Sequence, residues 1–170
     1  MRIIAEDETG GALELPVEEL AALAAEGVLD ELGCPYEAAV SLLITDEEGI
    51  RELNRTARGI DAVTDVLSFP ALSFAAPGDF SFLEDETFYA DAFDPESGEL
   101  MLGDIAVCAG RAKSQAQEYG HSLRREFAFL IAHSVLHLSG FDHETPEEAQ
   151  QMEALQEKVL TRLGITRDGE

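Results

Sequence analysis

Residues 133–143 read HSVLHLSGFDH, and three of the four histidines of the 170-residue chain fall inside them. His133 and His137 are four apart, so a helix places them on one face, one turn from each other. Gly140 can take the left-handed conformation that stops such a helix, and the chain turning back there brings His143 to the same point. Three neutral imidazoles converging with room for water are the usual protein contribution to a catalytic zinc site; nickel or another transition ion suits the same donors. On a helix from Ser122 to Ser139, Leu123, Phe127, Leu130, Ile131 and Leu138 form an apolar stripe. At about 100° per residue, His133 and His137 lie roughly 70–110° from its centre. That is the flank of a buried helix, where a cleft wall stands.

The spacing also follows the zinc-peptidase pattern H-E-x-x-H-x-x-G-x-x-H, with Ser134 where those enzymes carry their general-base Glu. Peptide hydrolysis needs that carboxylate to move protons. A phosphodiester leaves as an alkoxide, whose charge a metal can stabilise, so the missing Glu disfavours a protease more than a nuclease. Asp142 either serves the site, orienting an imidazole or accepting a proton, or is a turn residue. His121 reads as a surface or capping residue.

Outward from this stretch, the pattern predicts an edge strand at Met1–Glu6 and a helix over Leu15–Leu32 with Pro16 near its first turn. A buried strand follows at Ala39–Ile44, then a helix to about Ala57 opened by the capping-box pattern Thr45-Asp46-Glu47-Glu48. Further strands are expected at Val66–Phe69 and Met101–Val107. Helices are expected at Gly110–Tyr119, Ser122–Ser139 and Thr145–Leu163, the last opened by Thr145-Pro146-Glu147-Glu148. This order is not the regular alternation of a doubly wound fold, so α+β is the class. The intervening segment 72–100 carries eight acidic residues, no basic ones, five Phe and one Tyr. A solvated loop would not hold so many aromatics, so part of it should pack back on the body.

A length of 170 residues bounds the chain to one domain, 1–170, with 72–100 as an acidic, Phe-rich insertion. Asp and Glu number 35 against 11 Lys and Arg, a net charge of −24 that repels nucleic acid at long range. The start, MRIIAEDETGG, lacks the apolar core of a secretory signal, and no run is long enough to cross a membrane. A cytoplasmic protein with Cys34 and Cys108 as reduced thiols is expected. The basic residues are clustered: positions 51–58 and 111–125 together hold 7 of the 11, with only 2 of the 35 acids. Most of these should pair with neighbouring carboxylates, but Arg124 and Arg125, if they lie beside the histidines, could follow a phosphate backbone.

Three blocks give the chain a family resemblance: LNRTARGIDAVTDVLSFP (Leu53–Pro70), LGDIAVCAGRAKSQAQEYGH (Leu102–His121) and REFAFLIAHSVLHLSGFDHE (Arg125–Glu144). With their H-x3-H-x5-H spacing they resemble the YbeY family of bacterial rRNA-maturation endoribonucleases. The resemblance implies a small mixed four-stranded sheet packed by about five helices, one of them zincin-like and bearing one Zn²⁺ on His133, His137 and His143. It implies that Arg58, in the family's LN-x3-R motif, is a phosphate-binding and catalytic residue. Thr64, Asp65 and Ser68 then fall in the T-[DN]-V-L-S-F segment on the cleft floor, with Ser68 counted beside Arg124 and Arg125 in substrate binding. The implied work is single-strand-specific cleavage of ribosomal RNA in rRNA maturation and ribosome quality control. The 30S subunit or its proteins, or an assembly GTPase, would be partners. Two readings compete: a zinc peptidase-like hydrolase with Asp142 as base, and a metal-stabilised ribosome-assembly factor whose work is binding.

Overall fold

The structure, a computed structural model, describes residues 1–166. In chain order the elements are β1 (Arg2–Asp7), α1 (Val17–Leu32), β2 (Ala38–Thr45), α2 (Glu47–Arg58), β3 (Val66–Pro70), a one-turn α3 (Glu86–Tyr89) between two short 3₁₀ turns, β4 (Leu100–Cys108), α4 (Ala109–Tyr119), α5 (Leu123–Leu138) and α6 (Pro146–Arg162). The strands form one mixed sheet in the order β1-β2-β4-β3, with β2 parallel to β1 and β4, and β3 antiparallel to β4. The α+β expectation holds: a four-stranded mixed sheet and five long helices, with α3 added inside segment 72–100.

Alternation along the strands decides which helices lie on which face. Val40, Leu42 and Ile44 of β2 and Ile105 and Val107 of β4 point into the large core shared with α1, α5 and α6. Leu67 and Ala106 point the other way, where Ile50 of α2 and Cys108 close a smaller cluster. On β4 this pattern depends on a bulge. Pairing passes from Ala39–Met101 to Val40–Gly103, which leaves Leu102 as an extra residue. Without it Ile105 and Val107 would point away from α5. Gly103 has φ +141°, and a Cβ there would lie 2.3 Å from the Phe69 carbonyl oxygen and 3.1 Å from a Leu138 methyl of α5. Only glycine lets β3, the bulge and α5 approach this closely.

Helix starts follow side-chain chemistry, with one correction. The Thr145–Glu148 capping box forms as expected, its threonine oxygen taking the Glu148 N–H. At α2, Asp46 is the cap and not Thr45: its carboxylate accepts from Gly49 N–H at 2.8 Å, while Thr45 Oγ1 donates to Glu8 Oε2 at 2.9 Å. Thr45 is still the last residue of β2, so its backbone cannot yet enter the helix.

Segment 72–100 packs back through its aromatics. Phe80 and Leu83 are buried. Phe74 meets Phe80 and Phe82 edge to face, each at 5.1 Å between ring centroids, and Phe82 passes the contact on to Tyr89. The segment also clasps the turn after α5: Gly78 N–H donates to the Ser139 carbonyl at 2.9 Å, and Phe74 lies where a Cβ on Gly140 would be, 2.6 Å from its own Cβ.

Replacing Gly103 by Ala is expected to lower unfolding free energy by about 2–4 kcal/mol, read by urea titration. An unchanged midpoint would mean that the bulge relaxes freely.

Candidate metal centre and its surroundings

Two of the three imidazoles come from the last turns of α5 and the third from the turn beyond it. Val135–Leu138 close the helix, Ser139 caps it, and Gly140 at φ +96° reverses the chain. His133 and His137 are half-buried, whereas His143 is exposed. Ring centroids are 4.6 Å apart for His133–His137, 4.9 Å for His137–His143 and 5.4 Å for His133–His143. One donor atom from each lies within 4.8 Å of the others.

This donor set fits a transition-metal ion. The Nε2 atoms of His133 and His137 stand 3.1 Å apart, close to the roughly 3.3 Å between two tetrahedral ligands at about 2.0–2.1 Å from zinc. Ring orientation is fixed from behind. His137 Nδ1 lies 2.9 Å from the Phe141 carbonyl oxygen, so its N–H donates there and its Nε2 lone pair is free. The Gln156 side-chain amide stands 3.2 Å from His133 Nδ1; with its oxygen turned to the ring it does for His133 what the carbonyl does for His137. Burial, then the neighbouring His137 and His143 rings, push His133 down to about 4, against the opposing charge of Asp65. Burial also lowers His137. Both rings are therefore neutral at neutral pH, the state that ligates.

Asp65 stands just ahead of β3. Its Oδ1 accepts from Val66 N–H at 2.7 Å and its Oδ2 from Gln115 Nε2 of α4 at 3.3 Å, so it is held on two sides while its charge reaches His133. Asn54, 2% exposed, donates from Nδ2 to the Ala62 carbonyl at 3.0 Å and ties down the loop that leads to Asp65. Arg58 is the last residue of α2, at the start of that loop; it is exposed, with no ion pair among the described residues. Ser68 pairs with Ile105 on the sheet face that α5 covers and is half-buried. Asp142 is exposed, and its Oδ1 takes the N–H of His143, so it shapes the turn; its charge opposes the lowering of His137. Ser134 is fully buried. The position that carries the peptidase base faces the core here.

Two expectations need correction. Arg125 does not lie beside the histidines. It is 2% exposed, donates to the Ile165 carbonyl at 2.9 Å and to Glu157 Oε1 at 2.7 Å, and stacks near Phe129. The first turn of α5 faces α6 there, so its charge is consumed inside the fold. Arg124 is exposed, but nine residues before His133 place it about 14 Å away along the helix axis. Of the two readings of His121 the capping one holds: its backbone N–H closes the end of α4 on the Ala116 carbonyl at 3.1 Å, and its side chain is 5% exposed, facing Glu126 at 3.9 Å and stacked on Tyr119. Gln156 was missed, although a sign was available. It is a polar residue on the same α6 face as the buried Met152, Val159 and Leu160, and such a residue needs a partner.

A three-imidazole group on a helix that packs against a small mixed sheet defines a class, the α+β proteins with a histidine cluster that could hold a metal ion. The sequence model of the family described as Endoribonuclease YbeY matches residues 4–164. A protein of that name from Lachnospira eligens is 49% identical over 169 residues, covering 98% of this chain and all of its own. Another, from Agathobacter rectalis, is 50% identical over 167 residues with the same coverage. The solution structure of TM1509 from Thermotoga maritima superposes with a TM-score of 0.51 at 27% identity, over 95% of this chain and 90% of that one. The chain belongs to the YbeY endoribonuclease family. Among the described residues no helix is long and apolar enough to cross a membrane.

Gln156→Leu is expected to weaken metal affinity about 10–100-fold in a competition titration with a chelating dye, with little change in melting temperature. Arg125→Met should do the opposite, lowering stability by about 1–3 kcal/mol with metal content per folded chain unchanged; the figure is modest because Glu157 is 48% solvent-exposed. Loss of metal from Arg125→Met at full fold would return that residue to the site.

Proposed function

We propose that this chain is a zinc-dependent, single-strand-specific endoribonuclease of ribosomal RNA, acting as one domain in rRNA maturation and ribosome quality control. The observation that carries the reading is the meeting of two Nε2 atoms at 3.1 Å beside a third imidazole, in a chain of an endoribonuclease family. His133, His137 and His143 would hold the ion, and zinc bound there supplies an acidified water and charge stabilisation for phosphodiester hydrolysis.

The chain's own groups do the rest. Phe141 and Gln156 keep the two inner rings in the tautomer that ligates. Arg58, with no carboxylate partner among the described residues, stabilises charge developing on the phosphoryl oxygens. Asp142 keeps one carboxylate oxygen clear of the His143 N–H and takes up the proton released beside the centre. Ser68 supports the cleft floor, and Arg124 serves only RNA reaching well beyond the centre. The surface charge of −24 opposes encounter with free RNA. Docking on the 30S subunit or its proteins, or with an assembly GTPase, in the cytoplasm, supplies the local concentration that electrostatics withholds.

Purified wild type, His137→Ala and Arg58→Glu, given a labelled single-stranded RNA, test the assignment. Wild type should cleave and hold metal; His137→Ala should lose both. Arg58→Glu should keep its metal and lose at least about 100-fold in rate. Equal cleavage by all three overturns the reading. Metal binding without cleavage by wild type, on free RNA and on 30S subunits alike, leaves a binding factor in its place.

A further inference from the structure

Which basic groups can meet an RNA phosphate depends on what already holds them. Arg2 pairs with Glu99, Arg51 with Asp61, Arg55 with Glu52, Arg125 with Glu157, and Lys158 and Arg162 both with Glu31. Among the described residues, Arg58, Arg111 and Lys113 make no ion pair. Arg111 is nevertheless held in place. Its Nη2 donates to the Val63 carbonyl at 3.4 Å, which seats the guanidinium against the loop 59–65 and leaves most of its N–H groups open. Four residues further along α4, Gln115 reaches Asp65 in the same loop. Residues four apart share a helix face, so Arg111 and Gln115 line the side of α4 that faces the loop ending beside His133. Lys113, about 200° round the helix from Arg111, faces elsewhere. Arg58 stands at the loop's other end, and Asn54 fixes the span between them.

We propose that Arg111 is a second phosphate anchor for the RNA strand, gripping a phosphate next to the one at the histidine centre, so that Arg58 and Arg111 bracket the strand across loop 59–65. The proposal rests on the RNA reading above. A guanidinium fork matches two phosphate oxygens at once. On a surface this acidic, a strand can settle only where cations are not already neutralised. A backbone carbonyl orients the fork without consuming its charge, whereas the carboxylates that hold Arg51 and Arg55 consume theirs.

The test is binding of a fluorescent single-stranded oligoribonucleotide, 2′-O-methylated so that it survives, to metal-loaded full-length protein across a salt series. The variants are R111Q, R111K and K113Q, with melting temperature measured on each. R111Q should bind about tenfold more weakly at low salt, and its log–log salt slope should fall by about 0.7, one phosphate contact on a single strand. R111K should recover the slope, K113Q should stay near wild type, and melting temperatures should not move. If R111Q binds like wild type, or if R111K falls as far as R111Q, or if K113Q loses as much as R111Q, Arg111 is no anchor. If metal-loaded wild type binds no RNA at any salt, the RNA reading itself fails and takes the anchor with it.

Discussion

Helix α5 ends at Leu138, and the way its last turn is tied off determines where the third imidazole can stand. Gly140 N–H returns to the His137 carbonyl at 3.1 Å, and Phe141 N–H returns to Leu136 at 3.0 Å. The carbonyl of the same Phe141 then receives the ring N–H of His137. One residue thus closes the helix with its donor and orients an imidazole with its acceptor. The tautomer of His137 and the helix stop form one hydrogen-bonded unit, and the chain leaving it brings His143 to the same point. A substitution that loosens the turn must loosen the donor geometry with it.

The second constraint is electrostatic. With 35 acids and 11 basic groups, most cations are drawn into pairs, some on the surface and one, Arg125, inside. Surface pairs such as Arg51–Asp61 add little stability, yet each removes a positive charge from the field that an anionic polymer meets. Among the described residues, two cations without an ion pair, Arg58 and Arg111, stand along the seam between α2, α4 and the loop 59–65. That seam leads to Asp65 and the inner histidine. Charge distribution, more than net charge, sets where a polyanion can approach.

Much of this was legible in the sequence because the local signals agreed with the fold. The Thr145 capping box, the i, i+4 histidines and the alternating strands each have one good structural solution. The grouping of the three histidines was legible for the same reason: they lie within eleven residues. What could not be read depended on chain partners far apart. Arg125 stood as a candidate for a phosphate backbone because nothing local announces that α6 and Ile165 close over it. Thr45 looked like a cap because the pattern fits, but β2 holds its backbone extended one residue longer. The bulge at Leu102 was invisible because a single extra residue changes only the phase of alternation. Gln156 could have been noticed as a polar residue on a buried stripe, but its target, His133, lies on another helix.

The contact of Phe74 with Gly140 bears on the order of assembly. The two residues are far apart in the chain, so their meeting closes a long loop, which is slow compared with winding α5 itself. During synthesis, however, segment 72–100 emerges before α5 does, and its aromatic cluster of Phe74, Phe80 and Phe82 can be collapsed and waiting when the histidine helix leaves the ribosome. The turn that carries His143 then closes onto a surface already made. On that order the three imidazoles converge late, and an ion could be held only by a chain whose segment 72–100 has already docked.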